Sequence, residues 1–535
     1  MWGLTQEACR LFSGIASMVK VTKGDESMTI NLELSAREKK VHGVNAPTPE
    51  LVRRDGVTLL PNPSRVLAML YLPGQEIIDD GVSRADSVIE RVLGMTDEEV
   101  STTLGETIGR FADRHFDLRA DLTENFARVA HRLPRASEIS TERRELIGAY
   151  FTKEYSIEGA ALFNPSIVPH PDQTGLKEGD LRFILSLRAV GEGHISSIEF
   201  RTGVISGGEA SIDDPGRHVL TGKSVHSKMS REFLRESLAE RGHAVAAVDL
   251  LNLLPDTFDP DHLAAAIASV ESDELTRGSA REVIKEIRWI VSCNYRVEFP
   301  HDRPLSERVL YPTSIDESHG MEDARFTQFI DDDGKISYYA TYTAYDGLRV
   351  KPHLIQTNDF KSFDITRLIG PSAVNKGMAI FPRKVNGKFL SLSRWDRENI
   401  SVASSPDSCT WGDAVDLLVP EQPWEFIQLG NCGSPIETPE GWLVITHGVG
   451  PMREYGMGAI LLDLKDPTKI IGSLSQQILI ASEEERNGYT PNVVYSCGAL
   501  LHGDTIVLPY GYSDSSTSFA FVDLPQLMKA FGTNL

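Results

Sequence analysis

Apolar and polar positions along the chain repeat in a pattern that occurs five times. Each unit has an apolar run, a polar turn that contains glycine, a second apolar run, and a polar residue where the pattern ends. The units span residues 161–188, 326–342, 379–394, 435–447 and 498–510. Glycine-containing turns between short apolar runs are typical of β-hairpins, so each unit predicts one hairpin.

The spacing of these hairpins indicates how they assemble. From the second unit onward the turns recur roughly every 50 to 60 residues, which is about the length of a four-stranded propeller blade. We therefore predict a mainly β fold, with a five-bladed β-propeller over residues 160–535. An irregular two-sheet β domain is the alternative that the pattern leaves open.

The residues before the first unit have a helical pattern instead. Residues 87–93 carry apolar side chains at helical spacing, and 96–99 resemble the start of a helix. We predict an N-terminal helical region over 58–159, either as a packing layer on the propeller or as a region with a role of its own. For the preceding residues, 1–57, we expect a poorly structured leader.

A second helical segment interrupts the repeats between the first and second units. Residues 227–241 and 280–293 both have the pattern of amphipathic helices. We therefore predict a helical insertion at about 207–300. Such an insertion either caps the propeller mouth or mediates self-association into a homo-oligomer, and the sequence leaves both open.

Composition and charge limit the classes of partner. The chain has 535 residues and a formal net charge of −22, without a basic stripe, which argues against binding to a nucleic-acid backbone. We find no apolar run of membrane-spanning length and no secretion signal, so we expect a cytoplasmic protein that binds a small ligand. The five cysteines are widely spaced without a CxxC pair, which argues against a disulfide framework or a structural zinc site.

Polar residues at the ends of the predicted inner strands are the candidates for chemistry, because inner strands of successive blades converge near a propeller axis. These residues are Asn164, Arg188, Asp323, Arg394, His447 and Asp514. Lys376, just before the third unit, adds a further cation. Two or three cations that converge near an acid predict an anion site, for example for phosphate.

The short charged segment 320–326 contains the sharpest candidate, Asp323. Neighbours on a strand face opposite sides, so Glu322 and Asp323 are not expected in one pocket, whereas Arg325 faces the same side as Asp323. Asp323 could act as a general acid if burial raises its pKa, with Arg325 orienting the carboxyl group. A structural Asp–Arg pair is the alternative.

Taken together, the motifs resemble glycoside hydrolase family 130, the β-mannoside phosphorylases and mannosidases. The resemblance runs from about Asn164 to the C-terminus, apart from the helical insertion, and leaves out the N-terminal helical region. Its segments are Asn164-Pro165, Arg188 with 195–197, 320–325, Asn375-Lys376, Phe381-Pro382, 433–436, 441–443, His447-Gly448, Tyr455, 458–464 and 510–514.

The resemblance implies a five-bladed propeller and a role for each candidate. Asp323 is implied as the general acid, and its proton would reach the glycosidic oxygen through a sugar hydroxyl. The residues expected to bind substrate are Asn164, Arg188, Arg325 and Asp514, and those expected to bind phosphate are Lys376, Arg394, Gln428, His447 and Tyr455.

The resemblance also implies the reaction. We expect inverting phosphorolysis of β-mannosides, β-1,2-linked manno-oligosaccharides in particular, to α-mannose 1-phosphate, with inorganic phosphate as co-substrate and neither cofactor nor metal. Two departures from the family pattern are Ala324, where many members have proline, and Gln428, where some phosphorylases carry a lysine. The loss of that cation keeps an inverting β-mannosidase open, with Glu425 or Glu437 as the base. A non-catalytic carbohydrate-binding propeller is the remaining alternative.

Overall fold

The computed structural model describes most of the chain beyond the first 50 residues. The described residues are 51–74, 77–78, 82–133, 136–272 and 277–532. From Leu51 onward the chain forms one compact unit. The predicted leader therefore lies outside the described residues as far as residue 50.

The described residues of the N-terminal part form four α-helices and five short strands. They are β1 (Val52–Leu59), β2 (Val66–Leu70), β3 (Ile77–Ile78), β4 (Val82–Ser83), α1 (Arg84–Leu93), α2 (Asp97–Phe111), α3 (Leu118–Val129), α4 (Thr141–Tyr150) and β5 (Thr152–Ser156). Ser83 and Thr96 begin α1 and α2 with capping boxes, in which each hydroxyl accepts a hydrogen bond from a backbone N–H of the first turn. The helices pack around a shared apolar cluster that includes Leu122 and Leu146. They lie within the range predicted to be helical.

The next part contains the first sheet strands and the helical insertion. Its elements are β6 (Ala161–Pro169), β7 (Leu181–Val190), β8 (Ser196–Ser206), β9 (Glu209–Ile212), β10 (Leu220–Thr221), β11 (Lys223–His226), β12 (Met229–Ser230), α5 (Arg231–Glu240), α6 (Val248–Asn252), β13 (Thr257–Phe258), α7 (Pro260–Ser272), α8 (Arg277–Ser292), β14 (Tyr295–Glu298) and β15 (Arg308–Leu310). Helices occupy a shorter span than the predicted 207–300, because β9, β11 and β14 belong to the neighbouring sheet.

The remaining elements are almost all strands. They are β16 (Gly320–Ile330), β17 (Ile336–Tyr345), β18 (Val350–Thr357), β19 (Ser362–Arg367), β20 (Ala379–Ile380), β21 (Phe389–Ser393), β22 (Ile400–Ser405), β23 (Val415–Leu418), β24 (Gln428–Asn431), β25 (Ile436–Glu437), β26 (Trp442–Val449), β27 (Tyr455–Leu462), β28 (Ile470–Ser473), β29 (Leu479–Ile480), β30 (Val494–Tyr495), β31 (Leu500–His502), β32 (Thr505–Tyr512), β33 (Ser516–Asp523) and α9 (Leu524–Gly532). The prediction of a mainly β chain is confirmed. Among the described residues, no helix has the length and apolar character needed to cross a membrane.

Among the described residues, the predicted hairpins lie in four larger sheets. One of these sheets contains two antiparallel groups, β6–β9 and β16–β19 with β14 and β11, which meet at a parallel contact between Ser196 of β8 and Gly320 of β16. The other three sheets are β20–β23, β24–β29, and β30–β33 with β1, so there are five strand groups, one for each predicted hairpin. Each hairpin predicted from the sequence is an antiparallel pair: β6 with β7, β16 with β17, β20 with β21, β25 with β26, and β31 with β32.

Apolar clusters join each group to the next. The residues that share a cluster across neighbouring groups include Ile184 and Phe326, Phe329 and Ile380, Leu392 and Val444, Ile445 and Leu508, and Val507 and Leu185. The last of these pairs joins the fifth group to the first. The five groups therefore bury their faces against one another in a closed series.

The end of the predicted leader is a strand, which corrects the boundary set at residue 57. Strand β1 pairs antiparallel with β33 and so completes the fifth group with the N-terminal end of the described chain. In β1 only Val52 is fully buried. A half-exposed edge strand of this kind has a weak alternating pattern, so the sequence did not reveal it.

Candidate active site

A pocket of about 280 Å³ lies where residues from all five groups meet. Nine of the ten site residues predicted from the sequence line it: Asn164, Arg188, Asp323, Lys376, Arg394, Gln428, His447, Tyr455 and Asp514. The tenth, Arg325, is fully buried and touches two of the lining residues, Asp323 and Tyr495.

β-Bulges place the two residues at the centre of the pocket. The pairing of β6 with β7 shifts register around Asn164, and the pairing of β16 with β17 shifts around Asp323. Both residues have a left-handed backbone, with φ of 50° and 56°, and bulges of this kind re-aim a side chain out of the strand alternation. As a result, Asn164 Nδ2 donates a hydrogen bond to Asp323 Oδ1 over 2.7 Å.

The same bulge overturns the expectation that Glu322 and Asp323 face opposite sides. One guanidinium contacts both: Arg188 donates to Glu322 Oε1 over 2.8 Å and to Asp323 Oδ1 over 3.3 Å. Lys376 Nζ then donates to the other oxygen of Glu322 over 2.5 Å. Two acids and two cations therefore form one connected network, which the strict alternation of a regular strand would not allow.

The sequence analysis expected Arg325 to orient the Asp323 carboxyl group. In the structure Arg325 bonds to the backbone of the site instead. It donates hydrogen bonds to the carbonyl oxygen of Asp323, to the carbonyl oxygen of Cys432 and to the hydroxyl group of Tyr495, over 2.8, 3.0 and 2.8 Å. Three bonds from one planar guanidinium fix the bulge against the fourth and fifth groups.

The pKa of Asp323 is lower than the sequence analysis expected. Burial raises it, but the charges of Arg188, Arg325 and Lys376 and the hydrogen bond from Asn164 together lower the pKa well below its usual range. Asp323 is therefore a carboxylate in the unliganded pocket. A proton can reside on it only when something offsets the surrounding positive charge.

Arg394 and His447 form a pair in which only the arginine is charged. Arg394 donates from Nη1 to His447 Nε2 over 3.1 Å. Since a guanidinium can only donate, His447 Nε2 carries no proton. Burial, followed by the charges of Arg394 and Arg325, lowers the pKa of His447 well below its usual value. His447 is therefore neutral and orients Arg394, which corrects the expectation of a second cation there.

Aromatic rings fix this pair in place. The His447 ring stacks on Tyr455 with 6.2 Å between centroids and 9° between planes, and it meets the edge of Tyr495 at 4.7 Å. Arg394 is 8% exposed, so its charge is presented to the pocket with little water around it. A poorly hydrated guanidinium of this kind is well suited to bind an oxyanion.

Comparisons with known proteins identify the family of this chain. Residues 300–532 match the family model Glyco_hydro_130, described as beta-1,4-mannooligosaccharide phosphorylase. A beta-1,2-mannobiose phosphorylase of Listeria innocua is 32% identical over 271 residues, which are 48% of this chain and 74% of that protein. A 1,2-beta-oligomannan phosphorylase of a Thermoanaerobacter species is 33% identical over 227 residues, 42% of this chain and 75% of that protein. The chain belongs to glycoside hydrolase family 130.

A solved structure of a related protein is also similar to this family 130 chain. It is the beta-1,2-mannobiose phosphorylase from Listeria innocua in complex with beta-1,2-mannobiose. The match covers 71% of this chain and 93% of that one, with 24% sequence identity and a TM-score of 0.43.

The pocket of this family 130 protein includes residues that the sequence analysis did not select. Arg453 lines it and lies over the Tyr455 ring, 5.9 Å from the centroid. Arg453 and its neighbour Met452 both have a left-handed backbone. Arg453 lies in the turn between β26 and β27, outside the repeated pattern, so no sequence signal marked it. Tyr495 also lines the pocket, and its bond to Arg325 could not be read from spacing.

The two carboxylates considered as bases for hydrolysis lie in other surroundings. Glu425 accepts hydrogen bonds from the backbone N–H groups of Glu421 and Gln422, so it stabilises its own loop. Glu437 forms a two-bond ion pair with Arg383 beside a different, largely apolar pocket. Neither lines the pocket that contains Asp323.

Asp514 is the other carboxyl group that lines the pocket. Its backbone φ is 50°, as for Asn164. Burial raises the pKa of Asp514, and the nearby charge of Asp323 adds to this, while a hydrogen bond to Thr490 and the charge of Arg188 oppose it. Asp514 therefore holds a proton more readily than an exposed aspartate does.

Proposed function

We propose that this chain is an inverting phosphorylase of β-mannosides. It would use inorganic phosphate as co-substrate and release α-mannose 1-phosphate. The observation that carries the proposal is that Arg394, Lys376 and Arg453 line the same pocket as the Asp323 carboxyl group, in a chain with a net charge of −22. A locally cationic pocket in an acidic protein is suited to an anionic co-substrate.

We also infer that the five strand groups are the blades of a five-bladed propeller. Two observations support this arrangement: the groups share apolar clusters in a closed series, and strand β1 completes the sheet that contains the last strands of the chain. Closure protects sheet edges and brings one end of each inner strand to a common axis. The pocket would then lie at that axis.

In the proposed reaction, a phosphate oxygen attacks the anomeric carbon of the mannosyl unit from the face opposite the leaving sugar. The C–O bond to the leaving sugar breaks with its electron pair on the leaving oxygen, and Asp323 supplies the proton through a sugar hydroxyl. Arg394 and Lys376 would bind phosphate as charged donors, and Gln428 and Tyr455 as neutral ones. Phosphate is already nucleophilic, so no protein base is required.

Phosphate itself would prepare Asp323 for this role. In the unliganded pocket three cations keep its pKa low. A bound phosphate dianion offsets that positive charge and places negative charge near the carboxylate, and both effects raise the pKa of Asp323. The acid would therefore become protonated when the co-substrate is present, which couples proton transfer to phosphate binding.

The mannosyl unit would occupy the part of the pocket opposite the phosphate. Asn164 and Arg188 already donate to Asp323, and Asp514 lies near both Arg188 and Asp323. Amide, guanidinium and carboxyl groups can satisfy the hydroxyl groups of a buried sugar ring. We propose β-1,2-linked manno-oligosaccharides as substrates, supported by two relatives named for that linkage, although another relative is named for the β-1,4 linkage.

Hydrolysis is the second candidate, and Asp514 is the observation that favours it. An inverting hydrolase needs a second carboxylate that activates water, and Asp514 lines the same pocket as Asp323. Hydrolysis is the weaker candidate for two reasons. The pKa of Asp514 is raised, and four cationic side chains line the pocket: Arg188, Lys376, Arg394 and Arg453.

The reverse reaction tests both the activity and the linkage. Purified protein is given α-mannose 1-phosphate with mannose as acceptor, and NMR identifies any disaccharide formed while phosphate release is measured. A phosphorylase of the proposed type makes β-1,2-mannobiose and releases an equal amount of phosphate. Release of phosphate without a disaccharide would contradict the proposal. So would the absence of any reaction of α-mannose 1-phosphate with both mannose and longer acceptors.

A further inference from the structure

Three potential metal ligands converge at the junction between the helical insertion and the second strand group. Cys293 directly follows α8, Asp316 precedes β16, and His353 belongs to β18. One donor atom of each lies within 4.8 Å of the others, and all three residues are buried. The cluster is separate from the pocket that contains Asp323, whose lining includes none of the three.

The hydrogen bonding of His353 prepares one ring nitrogen as a ligand. His353 Nδ1 lies 3.4 Å from the backbone carbonyl oxygen of Lys351, which can only accept, so the proton is assigned to Nδ1. Nε2 then has a free lone pair and, among the described residues, no hydrogen-bond partner. A histidine held through Nδ1–H by a backbone carbonyl is the usual arrangement for metal binding through Nε2.

Asp316 directs a second unsatisfied acceptor toward the same point. Its Oδ2 lies 3.9 Å from His353 Nε2 and has no hydrogen-bond partner within the described parts of the chain. Arg367 Nε is 3.8 Å from Asp316 Oδ2, beyond hydrogen-bond distance, and Arg367 donates from Nη1 to Glu240 instead. Two buried acceptors that face one another without a proton between them are costly unless a cation lies between them.

We propose that Cys293, Asp316 and His353 bind a zinc-type divalent metal ion that fastens the helical insertion to the sheet. Thiolate, imidazole and carboxylate together are the ligands that Zn²⁺ prefers. A cavity of about 100 Å³ that Asp316 also lines would supply water to the fourth position. On binding, the Cys293 thiol releases its proton to solvent and the sulfur bonds to the metal.

The site would link two elements of the fold. Zinc bonds of about 2.3 Å to sulfur and about 2.0 Å to nitrogen would join Cys293, at the end of α8, to His353 of β18. The charge of Arg367 is offset by its bond to Glu240, so it does not leave an uncompensated cation beside the metal.

Cobalt titration of the full chain tests this site without reference to catalysis. The protein is treated with a chelator, and Co²⁺ is added while the absorption spectrum and the melting temperature are recorded. We expect a thiolate-to-cobalt charge-transfer band that saturates at one ion per chain, visible bands typical of tetrahedral Co²⁺, and a higher melting temperature with Zn²⁺. A wild-type protein that shows neither band nor shift would overturn the proposal.

Variants locate the ion if it binds. Cys293→Ser should lose the charge-transfer band, and His353→Gln should lose the tetrahedral bands. Cys409→Ser is the matched control, because Cys409 lies between β22 and β23 of another strand group, and this variant should leave the spectrum unchanged. A charge-transfer band in Cys293→Ser equal to that of the wild type would also overturn the assignment. The comparison is made only on samples whose circular dichroism spectrum matches that of the wild type. If Cys293→Ser does not fold, His353→Gln decides the assignment, and unchanged tetrahedral bands in that variant would overturn it.

Discussion

At the scale of single residues, backbone conformation decides which side chains meet. Asn164, Asp323 and Asp514 all have a left-handed backbone with φ of 50° to 56°, which costs a non-glycine residue roughly 1 to 3 kcal/mol. Asparagine and aspartate tolerate it better than most. Each is a polar residue that lines the pocket, so the strain is concentrated where chemistry is proposed.

Asp323→Asn tests the proposed acid. Asparagine tolerates the same backbone and keeps an oxygen for Asn164 and Arg188 to contact, but it cannot supply a proton. We expect the rate of phosphorolysis to fall by roughly 10²- to 10⁴-fold, the usual contribution of a general acid. Asp364→Asn is the control, since Asp364 forms a partly exposed ion pair with Arg296. Asp323→Asn with nearly the wild-type rate in a steady-state assay would remove Asp323 from the mechanism.

His447 should act through Arg394 and not through its own charge. His447→Gln retains an acceptor for the guanidinium, whereas His447→Leu removes it. We expect His447→Leu to raise the KM for phosphate by about 10-fold, equivalent to about 1.4 kcal/mol, and His447→Gln to raise it less. Because burial and two arginines keep the pKa of His447 low, the imidazole is neutral at and above its usual pKa. The KM for phosphate should therefore have the same pH dependence in His447→Gln as in the wild type, and a lost ionisation near neutral pH would contradict this role.

At the scale of elements, a buried cluster of four charges joins the N-terminal segment to the first sheet. Arg65, just before β2, lies 2.7 Å from Glu158 and 2.9 Å from Glu199 of β8, and Arg201 contacts the same two acids. All four side chains are at most 3% exposed. Removing one partner from such a cluster leaves a buried charge uncompensated.

Arg65→Met should therefore destabilise the protein by roughly 3 to 5 kcal/mol in chemical denaturation. Burial, followed by the charge of Glu199, raises the pKa of Glu158 from 4.5 to about 7. A raised carboxyl pKa means that the folded state holds the Glu158 proton more tightly than the unfolded state does. The stability that Glu158 contributes is therefore lost as pH rises from 4.5 to about 7. Loss of Arg65 raises the pKa further, and the destabilisation should be larger at pH 8 than at pH 5.

Arg296→Met is the matched control for Arg65→Met. Arg296 pairs with Asp364 at the surface, with both side chains more than one third exposed, and its removal should cost about 0 to 1 kcal/mol at either pH. Equal effects of the two substitutions, or no pH dependence for Arg65→Met, would show that the buried cluster does not contribute as described.

At the scale of the whole molecule, repetition in the sequence was the most useful guide. Five glycine-containing turns located five hairpins because a tight turn and alternating apolar residues act over a few neighbouring residues. Those same turns predicted which strand ends carry site residues such as Asp323 and His447. The left-handed bulge at Asp323 changed which neighbours face together, and no periodicity argument could have anticipated it.

Features that depend on contacts between distant segments could not be predicted from the sequence. Burial opposes the lowered pKa of Asp323, which comes first from the charge of Arg188, while the lowered pKa of His447 comes from burial and then from the charge of Arg394. Both arginines are distant from those residues along the chain. Strand β1 was missed because its partner, β33, lies at the other end of the described chain. The ligand cluster around His353 was missed for a similar reason, since its members come from three separate elements.

The most direct test of the central claim measures which product forms from β-1,2-mannobiose as inorganic phosphate is varied. A cationic pocket beside the Asp323 acid predicts mannose 1-phosphate that appears only with phosphate, has the α configuration by NMR, and forms at a rate that saturates with phosphate concentration. Free mannose released at the same rate with and without phosphate would contradict the account and would make Asp514 the first residue to test as a base.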